Sequence, residues 1–270
     1  MIEKSITETA QAFARLRASA KCCNAYPGIL PTSLAEAYRV QKAGIDVWGR
    51  PVAGWKIGRI VGELEERLGE DRFVGPIFPD TIVHASAEHV EFPIVPNGFA
   101  ALEAELIAVI RGPVIPPRGL WTAENCARSI ARWHIGIEYA GSPLSAINDL
   151  GPLASIAGFG NNNGLVIGPE LRGTDPEQVS CKVAIGDFVF GPASSKNLPG
   201  GPLAAVAFAL NKLTQLRQGI FDGMLLSTGA ITGVHEVGIG VRCKAEFNPG
   251  GSVLCETVAQ KPDNSWHMLK

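Results

Sequence analysis

The chain has 270 residues, of which 46% are hydrophobic and 19% are charged, a composition typical of a globular protein with a large buried core. Its formal net charge of −2 argues against the broad basic surface that nucleic acid or an anionic membrane requires, so a small molecule is the expected partner. The first 21 residues mix charged and apolar side chains, which indicates neither a signal peptide nor a membrane span, and we expect a cytoplasmic protein.

The first 50 residues are predicted to form a helical segment. In its first helix, apolar residues recur at helical spacing: Ile2, Ile6, Ala10, Phe13 and Leu16. A second helix is predicted to begin at a capping box formed by Ser33 and Glu36 and to end near Gly49. The segment is expected to pack on the remainder of the chain.

Residues 51–270 are predicted to form a β-rich body. Short strand-like runs bounded by glycine and proline lie at 52–57, 90–94, 102–110, 135–139, 165–167, 182–190 and, as a hairpin, 241–258. Two helices interrupt these strands, at 122–133 and 202–217. The second helix is apolar on most of its surface, so we expect it to be buried or to lie at a subunit contact. The predicted fold class is therefore α+β.

Two glutamates lie in the apolar strand predicted at 102–110. Because side chains alternate along a strand, Glu103 and Glu105 project from one face, roughly 7 Å apart along the chain. Buried carboxylates need a metal, an arginine or raised pKa values, so the pair indicates a cation site. A strand with a solvated acidic face explains the same pattern, and both interpretations are open for this segment alone.

Two more charged residues occupy apolar strands. Lys56 lies between Trp55 and Ile57, and a lysine there is suited to protonate an enolate oxygen or to form a hydrogen bond with it. An ordinary lysine on an edge strand is the alternative. Glu138 adds a third carboxylate, with a salt-bridged structural acid as its alternative. Since the six cysteines form no C-x-x-C pair, three carboxylates favour Mg²⁺ or Mn²⁺ over zinc.

Six motifs follow one another along the chain: Gly-x-Lys-Ile-Gly at 54–58, Gly-Pro-Ile at 75–77 followed by Asp80, Glu-x-Glu at 103–105, Gly-Ile-Glu at 136–138, a glycine-bounded strand at 164–168, and Ser-Thr-Gly-Ala-Ile-Thr-Gly at 227–233. Their order and spacing resemble the 2-keto-4-pentenoate hydratase / 4-oxalocrotonate decarboxylase family, which belongs to the fumarylacetoacetate hydrolase superfamily. The likeness runs nearly end to end and includes the N-terminal helical part.

The resemblance implies a mixed β-roll or sandwich body of the fumarylacetoacetate hydrolase C-terminal type. It implies a divalent metal, Mg²⁺ or Mn²⁺, held by Glu103, Glu105 and Glu138, with Lys56 as the active-site lysine. Asp80 becomes a catalytic candidate near the distal end of the substrate. That substrate would be a 2-hydroxy-2,4-dienoate or its 2-keto tautomer, hydrated to a 4-hydroxy-2-keto acid in aromatic meta-cleavage catabolism. The family's habit also implies a homo-oligomer, and its hydratase and decarboxylase subunits can associate.

The segment 157–163 departs from the family pattern. Where relatives usually carry Ala-Asp-Asn-Ala-Ser-Ser, this chain has a glycine, a phenylalanine and a run of asparagines. Asn161 and Asn162 are therefore candidates for substrate binding, with a turn-forming role as the alternative. Arg59 is a further candidate, either in a mobile cover or on a solvated helix face. His235 is a candidate acid or base, or else a structural histidine.

The leading prediction is therefore a metal-dependent hydratase. The decarboxylase version would use the same metal and lysine, so it stays open. Hydrolysis of a C–C bond in an acylpyruvate needs an activated water, usually with a His–acid pair, for which His235 and Glu236 are adjacent in the sequence. A non-catalytic subunit that partners an active relative is the alternative from a different class, because the 158–163 segment is altered.

Overall fold

The computed structural model describes residues 2–85, 89–112 and 119–266. Within these residues, two N-terminal helices precede two mixed β-sheets and four further helices, which confirms the predicted α+β fold class. None of the helices in these ranges is long and apolar enough to cross a membrane.

The N-terminal helices are α1 (Ile2–Ala18) and α2 (Leu34–Trp48), which pack against each other. The side chain of Ser33 accepts a hydrogen bond from the backbone N–H of Glu36, which satisfies one of the free donors of the first turn. Gly49 ends α2 in the left-handed conformation, with a φ of 70°. The two ends predicted for this helix are therefore confirmed.

The larger sheet has eight strands. Seven of them follow the spatial order β2 (Arg72–Ile77), β1 (Gly54–Arg59), β10 (Leu225–Ser227), β5 (Phe99–Ile110), β6 (Ile130–Ser142), β7 (Asn162–Glu170) and β3 (Ile82–His84), and β11 (His235–Glu236) pairs with β5. Only the β1–β10 and β3–β7 pairs are parallel among these described strands. The long antiparallel pair of β5 and β6 occupies the centre, and β5 is buried along its whole length.

The smaller sheet has five strands, in the spatial order β4 (Val90–Ile94), β13 (Gly251–Ala259), β12 (Arg242–Asn248), β8 (Ser180–Ile185) and β9 (Phe188–Ser194). It packs on β5, β6 and β7 of the larger sheet, so the main core lies between the sheets. The rings of Phe92 and Tyr139 stack across this layer with centroids 3.6 Å apart. β12 and β13 form the hairpin that was predicted at 241–258.

The remaining helices are α3 (Glu63–Leu68), α4 (Ala123–Cys126), α5 (Pro152–Ala157) and α6 (Gly201–Gln215). Most apolar side chains of α6 are buried in the main core, where the helix packs on β1 and β2. The chain's own core therefore covers much of the apolar surface of α6. A homo-oligomer stays a prediction from the family resemblance.

The helix predicted over 122–133 is wrong from residue 130 onward. Thr122 does cap α4, which ends at Cys126, and a 3-10 turn over Ala127–Ser129 follows before β6 begins at Ile130. Ile130 lies opposite Ile110 at the end of the long β5–β6 pairing. Long-range strand pairing therefore decides the conformation of residues 130–133 against the local helical pattern.

Candidate functional site

Four neighbouring strands carry the candidate site on one face of the larger sheet. In the antiparallel β5–β6 pair, Glu103 lies directly opposite Glu138, and Glu105, two residues further along β5, projects from the same face. Ser227 lies on β10, beside β5, and Lys56 lies directly opposite Ser227 on β1. The register therefore gathers three carboxylates, a hydroxyl and an ammonium group from distant parts of the chain.

The three glutamates form a compact buried cluster. One oxygen from each carboxylate lies within 4.8 Å of the others, and Glu103, Glu105 and Glu138 are 6%, 0% and 0% exposed. Glu105 Oε2 accepts hydrogen bonds from Ser227 Oγ at 2.6 Å and from the Gly229 N–H at 2.8 Å. Its other oxygen, Oε1, is buried and meets no donor in the part of the chain that the structure describes. One side of the Glu105 carboxylate is thus fixed and the other is free to bind a ligand.

Glu138 is held at both of its oxygens. Oε2 accepts a hydrogen bond from Lys56 Nζ at 3.2 Å, and Oε1 accepts one from Asn162 Nδ2 at 3.0 Å. Lys56 is itself buried, with its ammonium 5.7 Å from the ring centroid of Phe73. These contacts fix the position of a carboxylate that would otherwise rotate, as a metal-binding side chain requires.

Burial makes the cluster electrostatically unfavourable. Burial, reinforced by Glu138 and opposed by Lys56, raises the pKa of Glu103 to about 7. Burial and then the charges of Glu138 and Glu103 raise the pKa of Glu105 well above its ordinary value. Burial also disfavours the ammonium form of Lys56, but the three carboxylates together outweigh it and raise the pKa of Lys56. One lysine does not balance three carboxylates, so protons neutralise part of the cluster when no metal is bound, and a further cation can replace them.

The donor set fits a hard divalent cation. Its ligand atoms are all carboxylate oxygens, which Mg²⁺ and Mn²⁺ prefer. The free Glu105 Oε1 supplies a buried acceptor that no described protein donor uses. A cation there would offset both the repulsion among the carboxylates and the missing hydrogen bond.

A cavity of about 420 Å³ opens beside the cluster. Lys56 and Glu103 lie in its wall together with two other predicted site residues, Arg59 and Asn161. Much of the remaining wall is apolar: Ile60, Val61, Leu64, Phe73, Pro152 and Val234. A larger cavity of about 550 Å³ lies between α2 and α6, but none of the three glutamates lines it. The smaller cavity is therefore the candidate substrate site.

The structure places Asp80 and His235 away from the wall of this cavity. Asp80 forms an ion pair with Arg50 and lines a different cavity. The ring of His235 stacks on Phe190 with centroids 3.9 Å apart, and its Nε2 lies 3.1 Å from Thr232 Oγ1. Burial lowers the pKa of His235. These contacts bring neither residue together with Lys56, and neither enters the mechanism proposed below.

The asparagine run in the altered segment contacts the site directly. Asn161 lies in the cavity wall, and Asn162 donates to Glu138, whereas Asn163 Nδ2 donates to the carbonyl of Pro93 at 2.7 Å. Two residues of the run, Asn161 and Asn162, thus lie at the candidate site, and their part in substrate binding stays a prediction.

Two supporting residues were not predicted. Ser227 was noticed only as part of a motif, although its hydroxyl fixes Glu105. Arg17, in the last turn of α1, is buried and donates from Nη1 to the backbone carbonyl of Asn162 at 2.7 Å. Its guanidinium carbon also lies 5.5 Å from the ring centroid of Phe159. Arg17 thus contacts Asn162, and Asn162 contacts Glu138, so the first helix is linked to the glutamate cluster. The sequence feature that could have predicted a role for Arg17 is its charge within the apolar face of the helix.

No protein-family model matches the sequence, and no curated protein matches it. Among solved structures, the chain is similar to 4-oxalocrotonate decarboxylase from Pseudomonas putida G7 complexed with magnesium and adipate, with a TM-score of 0.79, 17% identity, and coverage of 95% of this chain and 98% of that chain. The structure of that decarboxylase complexed with calcium and acetate has a TM-score of 0.76 and 18% identity, with the same coverage of 95% and 98%.

A third similar structure is fumarylpyruvate hydrolase from Pseudomonas aeruginosa in complex with Mn²⁺ and pyruvate, with a TM-score of 0.56 and 18% identity. It covers 78% of this chain and 91% of that chain. At these identities the likeness establishes the fold. The chain therefore has the fold of 4-oxalocrotonate decarboxylase, and this is the fold that the resemblance of the sequence motifs implied.

Proposed function

We propose that the chain is a divalent-metal-dependent enzyme that adds water to a 2-hydroxy-2,4-dienoate, or its 2-keto tautomer, and forms a 4-hydroxy-2-keto acid. The observation that carries this proposal is the buried cluster of Glu103, Glu105 and Glu138, with Lys56 beside it in the cavity wall. The substrate class rests on the sequence motifs. Solved structures of similar fold that contain adipate or pyruvate support it.

Glu103, Glu105 and Glu138 would hold Mg²⁺ or Mn²⁺ in this proposal. When bound, the cation would supply Lewis-acid stabilisation of negative charge on the oxygens of a 2-keto acid. Magnesium, calcium and manganese in the structures of similar fold agree with an oxygen-rich site for a hard cation.

Lys56 is the buried cation of the cavity wall. Its Nζ, held 3.2 Å from Glu138 Oε2, would stabilise the enolate form of the substrate or donate a proton to it. Buried apolar wall residues such as Ile60 and Phe73 limit the access of water, and the lower local dielectric strengthens this electrostatic stabilisation. The chain thus supplies a positioned charge in a partly dry cavity.

Loss of a distal carboxylate as CO₂ is the second candidate reaction. Arg59 lies in the cavity wall, where its guanidinium would pair with a second carboxylate of the substrate. The decarboxylase of similar fold was complexed with adipate, which is a dicarboxylate. Both reactions need a stabilised enolate, so the glutamate cluster and Lys56 serve either of them.

Turnover of two matched substrates tests these proposals. The full chain with Mg²⁺ is given one 2-hydroxydienoate without a distal carboxylate and one with it, and the products are followed by NMR. We expect a 4-hydroxy-2-keto acid from the first substrate. Release of CO₂ from the second, without a hydration product from either, would establish the decarboxylase instead. A chain inactive on both would contradict both reactions and support the non-catalytic subunit.

Removal of divalent cations is expected to lower the midpoint of thermal unfolding. A cation that binds only the folded state stabilises it by about 2.7 kcal/mol at a concentration of 100 times Kd. The pKa of Glu103 in the folded chain is about 7, above its ordinary value of 4.5. Protonation of Glu103 therefore stabilises the metal-free fold fully below pH 4.5, and this stabilisation is lost as pH rises through 7. Mg²⁺ should therefore raise the midpoint more at pH 8 than at pH 6, and equal midpoints with Mg²⁺ and with chelator at both pH values would contradict the proposed site.

Replacing Asn162 by alanine is expected to weaken Mn²⁺ binding by about 10- to 100-fold, because Glu138 Oε1 loses the donor that orients it. Calorimetric titration with Mn²⁺ measures the change. Asn163→Ala is the matched control from the same run, since Asn163 donates to the backbone of Pro93 and not to a glutamate. Equal losses in the two variants would show that Asn162 has no specific part in metal binding.

A further inference from the structure

Asn161 is a buried polar residue whose side-chain oxygen has no protein donor in the described part of the chain. The residue is 5% exposed and lies in the wall of the cavity that also contains Lys56 and Glu103. Its Oδ1 is buried, and no donor from residues 2–85, 89–112 or 119–266 reaches it. A buried amide oxygen left without a donor costs about 1–3 kcal/mol, so such a group in a cavity wall indicates a ligand that supplies the donor.

The backbone around Asn161 is held in an unusual conformation. Phe159, Gly160 and Asn161 have φ values of 57°, 70° and 55°, which places three consecutive residues in the left-handed region. This region is unfavourable for a bulky side chain such as that of Phe159. Gly75 packs so closely on Gly160 that a Cβ on either residue would overlap the Cα of the other. Such strain persists only where the surroundings fix it, and it is common at ligand sites.

The Nδ2 groups of the neighbouring amides are already occupied. Asn162 Nδ2 donates to Glu138, and Asn163 Nδ2 donates to Pro93. Asn162 Oδ1 is also buried without a described donor, but Asn162 does not line the cavity. Asn161 is therefore the residue of the run whose free oxygen belongs to the cavity wall.

The chemistry of this part of the wall selects a neutral partner with a hydrogen to donate. An amide offers one acceptor oxygen and two N–H donors, and Ser155, also buried in the wall, offers a hydroxyl. A water molecule or an alcohol both donates and accepts, so it satisfies these groups. A carboxylate only accepts, and it would leave Asn161 Oδ1 without a donor.

We propose that Asn161 holds the water molecule that is added to the substrate and, after reaction, the hydroxyl at C4 of the product. The proposal rests on the hydratase function above. In that step one O–H bond of the water breaks, its oxygen forms a bond with C4 of the 2-keto-3-enoate, the C3=C4 double bond becomes a single bond, and C3 gains one proton, which balances the proton that the water loses. Asn161 exchanges no proton and orients the water through Oδ1.

Comparing two rates in one variant tests this proposal. Asn161→Gly removes the amide and tolerates the left-handed backbone. With Mg²⁺ and a 2-hydroxydienoate, we expect formation of the 4-hydroxy-2-keto acid to fall about 10- to 100-fold, as loss of one hydrogen bond to the reacting group predicts. Conversion of the dienol to the keto tautomer needs no added water, so its rate in Asn161→Gly should stay within about threefold of the wild-type rate. The Mn²⁺ affinity of the variant should likewise stay within about threefold of the wild-type affinity.

Asn161→Ser keeps a short polar group and should recover part of the hydration rate relative to Asn161→Gly, whereas a merely structural role predicts no such recovery. Equal loss of hydration and tautomerisation in Asn161→Gly would overturn the proposal, and so would an unchanged hydration rate. A wild-type chain that does not hydrate the substrate overturns the proposed function and this inference with it. A wild-type chain that hydrates, together with an Asn161→Gly variant that hydrates equally fast, overturns this inference alone.

Discussion

Replacing Glu105 by glutamine is expected to lower metal-dependent turnover at least about a thousandfold, which corresponds to roughly 4 kcal/mol of lost transition-state stabilisation. Glu105 is fully buried, and its Oε1 meets no described protein donor. The glutamine side chain can keep the contacts with Ser227 and Gly229 through its oxygen. Its NH₂ group then points where the cation would bind, and an NH₂ group is not a metal ligand.

Stability and turnover should change in opposite directions in the Glu105→Gln variant. Because burial raises the pKa of Glu105, its ionised form destabilises the metal-free fold, and removing that charge should raise the midpoint of thermal unfolding in chelator. Loss of turnover would then not be a consequence of unfolding. Glu63→Gln, on the exposed helix α3, is the matched control and should leave both quantities unchanged. Normal Mn²⁺ binding by Glu105→Gln would refute the assignment of the metal site.

Replacing Gly160 by alanine is expected to lower the free energy of unfolding by about 3 kcal/mol or more. Gly160 has a φ of 70°, and its added Cβ would overlap the Cα of Gly75 on β2. Since both partners in this overlap are backbone atoms, neither can rotate away. Urea unfolding monitored by circular dichroism measures the change.

Gly173→Ala is a control that measures the cost of a left-handed alanine without the atomic overlap. Gly173 has a similar φ of 65°, but a Cβ there meets nothing within 4 Å. This control should therefore cost only about 1–2 kcal/mol, the price of a left-handed alanine. If Gly160→Ala destabilised the chain no more than this control, the close approach of Gly160 and Gly75 would not contribute to stability.

Local alternation along the sequence predicted part of the site correctly. The period of two placed Glu103 and Glu105 on one face of a strand, and the structure confirms this arrangement. The convergence of Glu138 and Lys56 on these residues depends on the strand order β1, β10, β5, β6. That order brings Lys56 to Glu138, 82 residues later in the sequence, so the convergence came from the family resemblance and not from any local pattern.

What local patterns did not predict has one cause. Residues 130–133 have an apolar pattern compatible with a helix, yet pairing with β5 makes them part of a strand. Asp80 stays a catalytic prediction, but its side chain pairs with Arg50, 30 residues earlier. Asn162 was a predicted site residue, but its contact with Glu138, 24 residues earlier, was not predicted. In each case the deciding interaction is with a residue outside the local stretch of sequence.

The contact between Arg17 and Asn162 relates local unfolding of the first helix to the position of Glu138. Arg17 belongs to the first helix, and it holds the carbonyl of the residue whose amide holds Glu138. Detachment of α1 would therefore weaken one of the two contacts that hold Glu138, although α1 contributes no residue to the cavity wall. In the proposed metal site, local unfolding at the amino terminus and loss of the cation would be coupled, and a bound cation would slow fraying of the first helix.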